Sequence, residues 1–187
     1  DSYLQSIFYF DNYKENIIEL FSPDNNSLDK IYLKYPQLLD INTINISIHL
    51  RLQWGNNITY NSKFIIDAIN YIKIKLKTNN IIFFVFSDDL EKAQDILSNI
   101  NINFIYCYNN YDYIDMWIMS LCNHNIICHS TLGWWGAYLN KNLNKLVLYP
   151  SDIINFYSNL TNVEPILLKK NYIPNDWISI NSSSLIY

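Results

Sequence analysis

The strongest constraint in this 187-residue chain is an alternation: short apolar runs take turns with longer amphipathic stretches. The runs at 44–50, 81–86, 103–107, 125–128 and 145–149 are too short for helices and read as strands. Between them, 62–77, 89–98, 111–122 and 132–141 carry apolar residues at helical spacing. Strands that take turns with helices imply a parallel sheet with helices on both faces, because each helix carries the chain back to start the next strand. The predicted fold is therefore α/β, a Rossmann-like parallel sheet. Ahead of it, 1–22 reads as a helix stopped by Ser22-Pro23-Asp24, and 27–35 as a second one before Pro36. Residues 1–40 are then a helical lead-in and 41–187 the Rossmann-like domain. After Pro150 the expectation is a closing helix at 151–159, a short segment at 165–168 and coil around 174–178.

Composition excludes several function classes. Half of the residues are hydrophobic, enough for a real core, while the abundance of Asn, Ile and Tyr reads as codon drift. The net charge is −4 and no basic stripe appears, so a nucleic-acid partner is not expected. Cys107, Cys122 and Cys128 lack CxxC spacing and read as buried free thiols in a reducing compartment. Cys122, His124, Cys128 and His129 do not have the spacing of a zinc site, and no metal is expected. No apolar run reaches the roughly 20 residues of a membrane span, and no signal peptide is visible. The expected location is cytoplasmic or membrane-associated. The chain begins at Asp1 rather than Met, which suggests that a natural N-terminus lies upstream.

The scarce residue types gather after the predicted strands. His49 and Arg51 follow the first, Ser87, Asp88 and Asp89 the second, and Ser130, Thr131 and Gly133 the fourth. Ligands of open parallel sheets bind beyond the carboxyl ends of the strands. Arg51 is the sole arginine among 13 basic residues, and its planar fork of donors suits phosphate oxygens. The third glycine, Gly55, follows closely. Asp88 with Glu91 reads as an acidic capping box, or as part of an acidic pair for a ribose, a base or a metal. Asp115 falls in the first turn of a helix whose apolar stripe is core. In HSTLGWWGAYL, Ser130 or Thr131 can cap a helix whose free N–H groups attract an anion. Gly133 lets a ligand approach the backbone, and Gly136 lets the helix lie close on the sheet. The tryptophans fill core.

Taken in order, SIHLR, FFVFSDD and DMWIMSLCNHNIICHSTLGWWGAYLN resemble the α-1,2-fucosyltransferase family, glycosyltransferase family 11. That family shows a histidine–x–arginine motif, then FSDD, then DM-x-LM-SxCxHxIxxNSSFSWWGAWL. SYLQSIFYF and YIPNDWISI are similar to it as well. The resemblance implies a GT-B arrangement, this chain being its C-terminal lobe with the N-terminal lobe largely missing. It implies GDP-fucose as donor, a galactose-type glycan as acceptor, inversion, and neither metal nor cofactor. His49 and Arg51 would face pyrophosphate and fucose as the catalytic pair, with Arg51 stabilising charge on the departing GDP. Ser87 and Asp88 lie at the nucleotide, Ser130, Thr131 and Gly133 at the phosphates, and Asp115 supports either the nucleotide or its loop. The chain departs from the family in three places. HLRLQWGN stands where HxRRGDY is usual, His129 and Gly133 replace an asparagine and a serine, and no GGLGNQ-type segment is present. A fragment of a longer enzyme, a degenerate GDP-sugar-binding domain and a metal-dependent transferase using Asp88-Asp89 all stay open, and no residue stands out as the base.

Overall fold

The first strand, β1 (Ile44–Leu50), pairs in parallel on both sides, and the rest of the molecule is organised around it. The computed structural model describes residues 7–53, 62–161 and 163–181. After β1 come α3 (Ser62–Leu76), β2 (Ile81–Ser87), α4 (Leu90–Leu97), β3 (Phe104–Tyr106) and α5 (Asp112–Leu121). The second half is β4 (His124–Ile126), α6 (Thr131–Leu139), β5 (Val147–Pro150), α7 (Ile153–Thr161), α8 (Pro165–Tyr172) and β6 (Ile178–Ile180). Before β1 lie α1 (Lys14–Leu20) and α2 (Asn25–Lys34). The strand order is β3-β2-β1-β4-β5-β6, all parallel. This is the doubly wound Rossmann order, and it reverses between β1 and β4. Both edge strands are only three residues long, which limits unwanted edge pairing. Among the described residues no helix is long and apolar enough to cross a membrane.

β1 reads Ile-Asn-Ile-Ser-Ile-His-Leu, an alternation that in isolation suits a strand with one wet face. In the fold both faces are covered. Ile46, Ile48 and Leu50 pack with α3 and α4 residues such as Ile69 and Leu97. The polar row Asn45, Ser47 and His49 is buried as well. Asn45 Nδ2 donates to the Gln37 carbonyl (3.0 Å), and Ser47 is met by an asparagine network behind the strand. Asn125 Nδ2 donates to Ser47 Oγ (2.7 Å) and to the Met119 carbonyl (2.8 Å). Asn140 Nδ2 donates to Asn125 Oδ1 (2.8 Å) and the Cys122 carbonyl (2.7 Å). Part of the asparagine load read as codon drift is thus structural. The three cysteines are buried and form no disulfide.

Two glycines set how close α6 can come. A Cβ on Gly136 would stand 2.7 Å from Met119 Cβ, so the glycine permits the α5–α6 crossing. The close partner is a helix rather than the sheet. Lys145 closes the far end of α6, its Nζ donating to the carbonyls of Ala137 (2.8 Å) and Asn140 (2.6 Å), where a cation suits the helix terminus. Gly136→Val is expected to overpack this crossing by about 2–3 kcal/mol, which lowers the melting temperature by roughly 4–12 °C for a chain of this size. A change below about 2 °C in a thermal melt would show that α5 and α6 do not meet there.

Several boundaries differ from the sequence reading. The lead-in is not one helix: two 3-10 turns, Ile7–Tyr9 and Asp11–Tyr13, precede a seven-residue α1, and residues 1–6 lie outside the described part. Phe10 is buried there, stacked on Trp135 and edge-on to Trp134 and Tyr138, so tertiary contact shapes the segment. Asp24 caps α2 by accepting the Ser27 N–H (2.7 Å). The tail expected as a short segment and coil forms a full helix, α8, and then β6 on β5. β4 ends at Ile126, so Cys128 and His129 lie on the loop beyond it rather than on the strand.

Candidate active site at the switch point

The reversal between β1 and β4 opens a crevice at their carboxyl ends, and several of the predicted residues converge there. His49 sits one residue from the end of β1, 4% exposed, against the start of α6. A Cβ on Gly133 would come within 3.0 Å of His49 Nδ1 and 3.2 Å of its Cβ. Gly133 therefore makes room for the imidazole. Cys128 Sγ lies 3.3 Å from His49 Nδ1. Burial lowers the His49 pKa from 6.5 to about 4, so the ring is neutral at physiological pH.

Arg51 follows β1 directly, and its side chain is 43% exposed. Asp88, after β2, orients it: Asp88 Oδ2 lies 3.3 Å from Arg51 Nε. The same carboxylate accepts the N–H groups of Leu52 (2.6 Å) and Gln53 (3.1 Å). Asp88 thus ties the loop after β1 to the end of β2. It is not the helix cap; that is Asp89, which accepts the Lys92 N–H at 3.0 Å. Ser87 Oγ accepts the Asp89 N–H (3.1 Å) and fixes the same turn. Trp54, Gly55 and Asn56, the rest of the HLRLQWGN stretch, lie outside the described residues.

Ser130 occupies the N-cap position of α6 in extended backbone, with no side-chain hydrogen bond to the helix. Thr131 opens the nine-residue helix. The N-cap side chain thus leaves the first N–H groups of α6 uncapped, the kind of helix start that suits an anion. Asp115 lies apart, at the start of α5. Asn110 Nδ2 donates to its Oδ1 (2.7 Å) and to the Tyr35 hydroxyl (3.0 Å). Burial raises the Asp115 pKa from 3.8 to about 6. Beside it a cavity of about 300 Å3 is lined by Lys30, Tyr35, Asn110, Tyr111 and Tyr113. A second cavity, of about 330 Å3, lies between β5, α7 and α8 and includes Ser151 and Lys169. Neither cavity occupies the crevice itself.

The residues considered as a metal set disperse. His124 is at the opposite end of β4 from His129, and its Nδ1 accepts the Leu146 N–H (2.9 Å). Cys122 Sγ donates to the Ile118 carbonyl (3.4 Å). Asn110, which holds Asp115, and Asp152, which stands 3.2 Å from His129, are contacts the sequence reading missed. Asn110 gave no signal beyond an asparagine-rich loop, and Asp152 stands after the fifth strand, where the same carboxyl-edge rule could have found it.

Titration of this region bears on stability. His49 and His124 both fall from 6.5 to about 4 through burial, so the unfolded chain takes up protons that the folded one refuses, and stability drops as pH falls through that window. Asp115 acts with opposite sign: its raised pKa means that stability drops as pH rises from 3.8 to about 6. Between pH 5 and 6 the two histidines outweigh the one carboxyl, so the net is a gain in stability on raising pH. Asp115→Asn removes the opposing group and is expected to steepen that rise, to roughly double. Urea midpoints at the two pH values measure it; an unchanged slope would mean that Asp115 titrates normally.

Comparison with known proteins then decides the lineage. The family model described as glycosyl transferase family 11 matches residues 10–178. The chain belongs to glycosyltransferase family 11. Its similarity extends to an alpha-1,2-colitosyltransferase of Escherichia coli, 33% identical over 148 residues, which are 71% of this chain and 48% of that protein. The O-antigen biosynthesis glycosyltransferase WbnK of Escherichia coli is 34% identical over 166 residues, 80% of this chain and 53% of that protein. The chain spans about half the length of these family 11 relatives. Among solved structures, a glycosyl transferase family 9 protein from Veillonella parvula superposes with a TM-score of 0.50 at 13% identity. The match covers 89% of this chain and 43% of that one, and it supports the Rossmann-type lobe of a GT-B fold. The SIHLR, FSDD and HST stretches thus lie at the strand ends that form the switch point, while Asp115 stands apart on α5.

Proposed function

We propose that this chain is the nucleotide-sugar lobe of an inverting transferase that moves fucose from GDP-fucose to the 2-hydroxyl of a galactose-type acceptor without a metal. The observation that carries the reading is the meeting at one crevice of an exposed, carboxylate-oriented arginine and a helix start without a side-chain cap. Pyrophosphate lies against the first N–H groups of α6, with Ser130 and Thr131 beside it. Arg51 meets the negative charge that grows on GDP as the sugar departs, an electrostatic role. His49 is the neutral ring beneath the phosphate end and holds α6 and β1 in register. The Asp115 and Asn110 corner, with its cavity, supports the nucleotide end. Colitose is a second candidate for the transferred sugar, favoured by the name of the 33% identical relative. A non-catalytic GDP-sugar-binding domain is favoured by the altered HLRLQWGN.

Calorimetric titration in chelator tests the reading. GDP-fucose is expected to bind saturably, ahead of UDP-galactose, with GDP-mannose also recognised through its nucleotide. Arg51→Lys should lose about tenfold in affinity, roughly 1.4 kcal/mol for one bidentate pair. A folded chain that binds none of the three, or an Arg51→Lys variant of unchanged affinity, retires this assignment of the site.

A further inference from the structure

The two ring nitrogens of His49 meet different surroundings. A neutral imidazole carries one N–H and one lone pair, and the bond made by one nitrogen decides where the proton sits. Nδ1 faces the interior. Cys128 Sγ lies 3.3 Å from it, and both residues are buried, Cys128 completely. The same ring edge lies against α6, where a Cβ on Gly133 would stand 3.0 Å from Nδ1. A side chain at 133 would crowd the ring at that edge. Nε2 is the nitrogen left over. Among the described residues it takes no hydrogen bond, yet it is not one of the enclosed polar atoms without a partner, so it keeps access to the crevice. Burial is the chief cause of the lowered His49 pKa, and the opposing effects of Asp88 and Arg51 put both charges within reach of the ring.

We propose that the Cys128 thiol donates to His49 Nδ1 and holds the ring as its Nε2–H tautomer, which makes Nε2 a fixed donor to the phosphates of the sugar nucleotide. The inference rests on the donor site proposed above. Two arguments set the direction of the bond. Sulfur is a weak acceptor, whereas an unprotonated imidazole nitrogen is a good one, so the proton between them belongs to the thiol. The ionised phosphates of a sugar nucleotide have no proton to give, so a ring nitrogen facing them has to carry one. With Nδ1 protonated instead, a lone pair on Nε2 would face the anion. Cys128 is thus a positioning residue: it touches His49 and not the sugar nucleotide. β1 supplies the ring, the loop after β4 the thiol and α6 the wall, so three neighbours at the switch point meet around one side chain. A neutral donor of fixed direction adds to Arg51 and the α6 N–H groups without placing a second buried cation beside the arginine.

The test uses the full-length protein carrying nitrogen-15-labelled histidine, with the His49 signals assigned through a His49→Gln variant. His124, whose Nδ1 accepts the Leu146 N–H at 2.9 Å, is the internal reference for an Nε2–H ring. At neutral pH the nitrogen NMR spectrum of wild-type His49 is expected to show the proton on Nε2. Cys128→Ser keeps a donor and should keep that tautomer, with GDP-fucose affinity within about twofold of wild type. Cys128→Ala leaves nearly the same space without the donor. It should show a mixture of tautomers and bind GDP-fucose about three- to tenfold more weakly in calorimetric titration. Rescue by serine separates a hydrogen bond from packing. A wild-type proton on Nδ1, an alanine variant that matches wild type in either tautomer or affinity, or a serine variant that behaves like alanine overturns the proposal. A wild-type protein that keeps the Nε2–H ring but binds no GDP-sugar overturns the donor-site reading and the phosphate role with it, while the thiol–imidazole bond stands.

Discussion

Trp134→Ala is expected to remove about 3–5 kcal/mol of stability. The side chain is fully buried, stacked on Tyr138 at 5.0 Å and packed beside Tyr172 and Trp177. Its indole N–H donates to the Tyr172 carbonyl (2.8 Å), which the substitution leaves unsatisfied inside the protein. Domains of this size carry about 5–15 kcal/mol in total, so the variant loses a large share of it. Trp135, next in sequence, is only partly buried, against Phe10 and Phe21, and its alanine variant should lose about 1–2 kcal/mol. Urea unfolding of the two variants decides the matter: equal losses would mean that the paired tryptophans share one role.

Arg51→Ala is expected to lower kcat by about 10²–10³-fold in the full-length protein, the usual loss for one donor aimed at developing charge. Stability should change little, because the side chain is 43% exposed. Asp88→Asn should give a smaller fall in kcat together with weaker donor binding, since it loosens Leu52 and Gln53 along with Arg51. Steady-state kinetics separates them: an Arg51→Ala variant that raises KM and spares kcat would make the arginine a ground-state binder rather than a stabiliser of the departing charge.

Much of the candidate site was legible as position. His49, Arg51, Ser87, Asp88, Ser130 and Thr131 follow apolar runs, and strand ends are where an open parallel sheet binds ligands. What each residue touches was not legible. The spacing of Asp88 and Glu91 suggested a cap, yet Asp89 takes the helix and Asp88 reaches to a loop 35 residues earlier, a contact no local pattern encodes. Gly133 suggested room for a ligand; the room is filled first by the His49 ring, which comes from another strand. The His129–Asp152 pair joins residues from two separate loops and has no signature in either. β6 was missed for a different reason. Ile-Ser-Ile is too short to carry a period, and it becomes a strand only because β5 offers an unpaired edge.

By itself, then, the sequence determined the class of fold, because alternating apolar runs and amphipathic stretches leave few ways to bury both. It determined as well that scarce chemistry would stand at the strand ends. The order of strands, the burial of the Asn45–Ser47–His49 row and the partner of each charged group were decided only in three dimensions. Those depend on which surfaces exclude water together, and a buried polar group takes its hydrogen bonds from whatever the packing brings within reach.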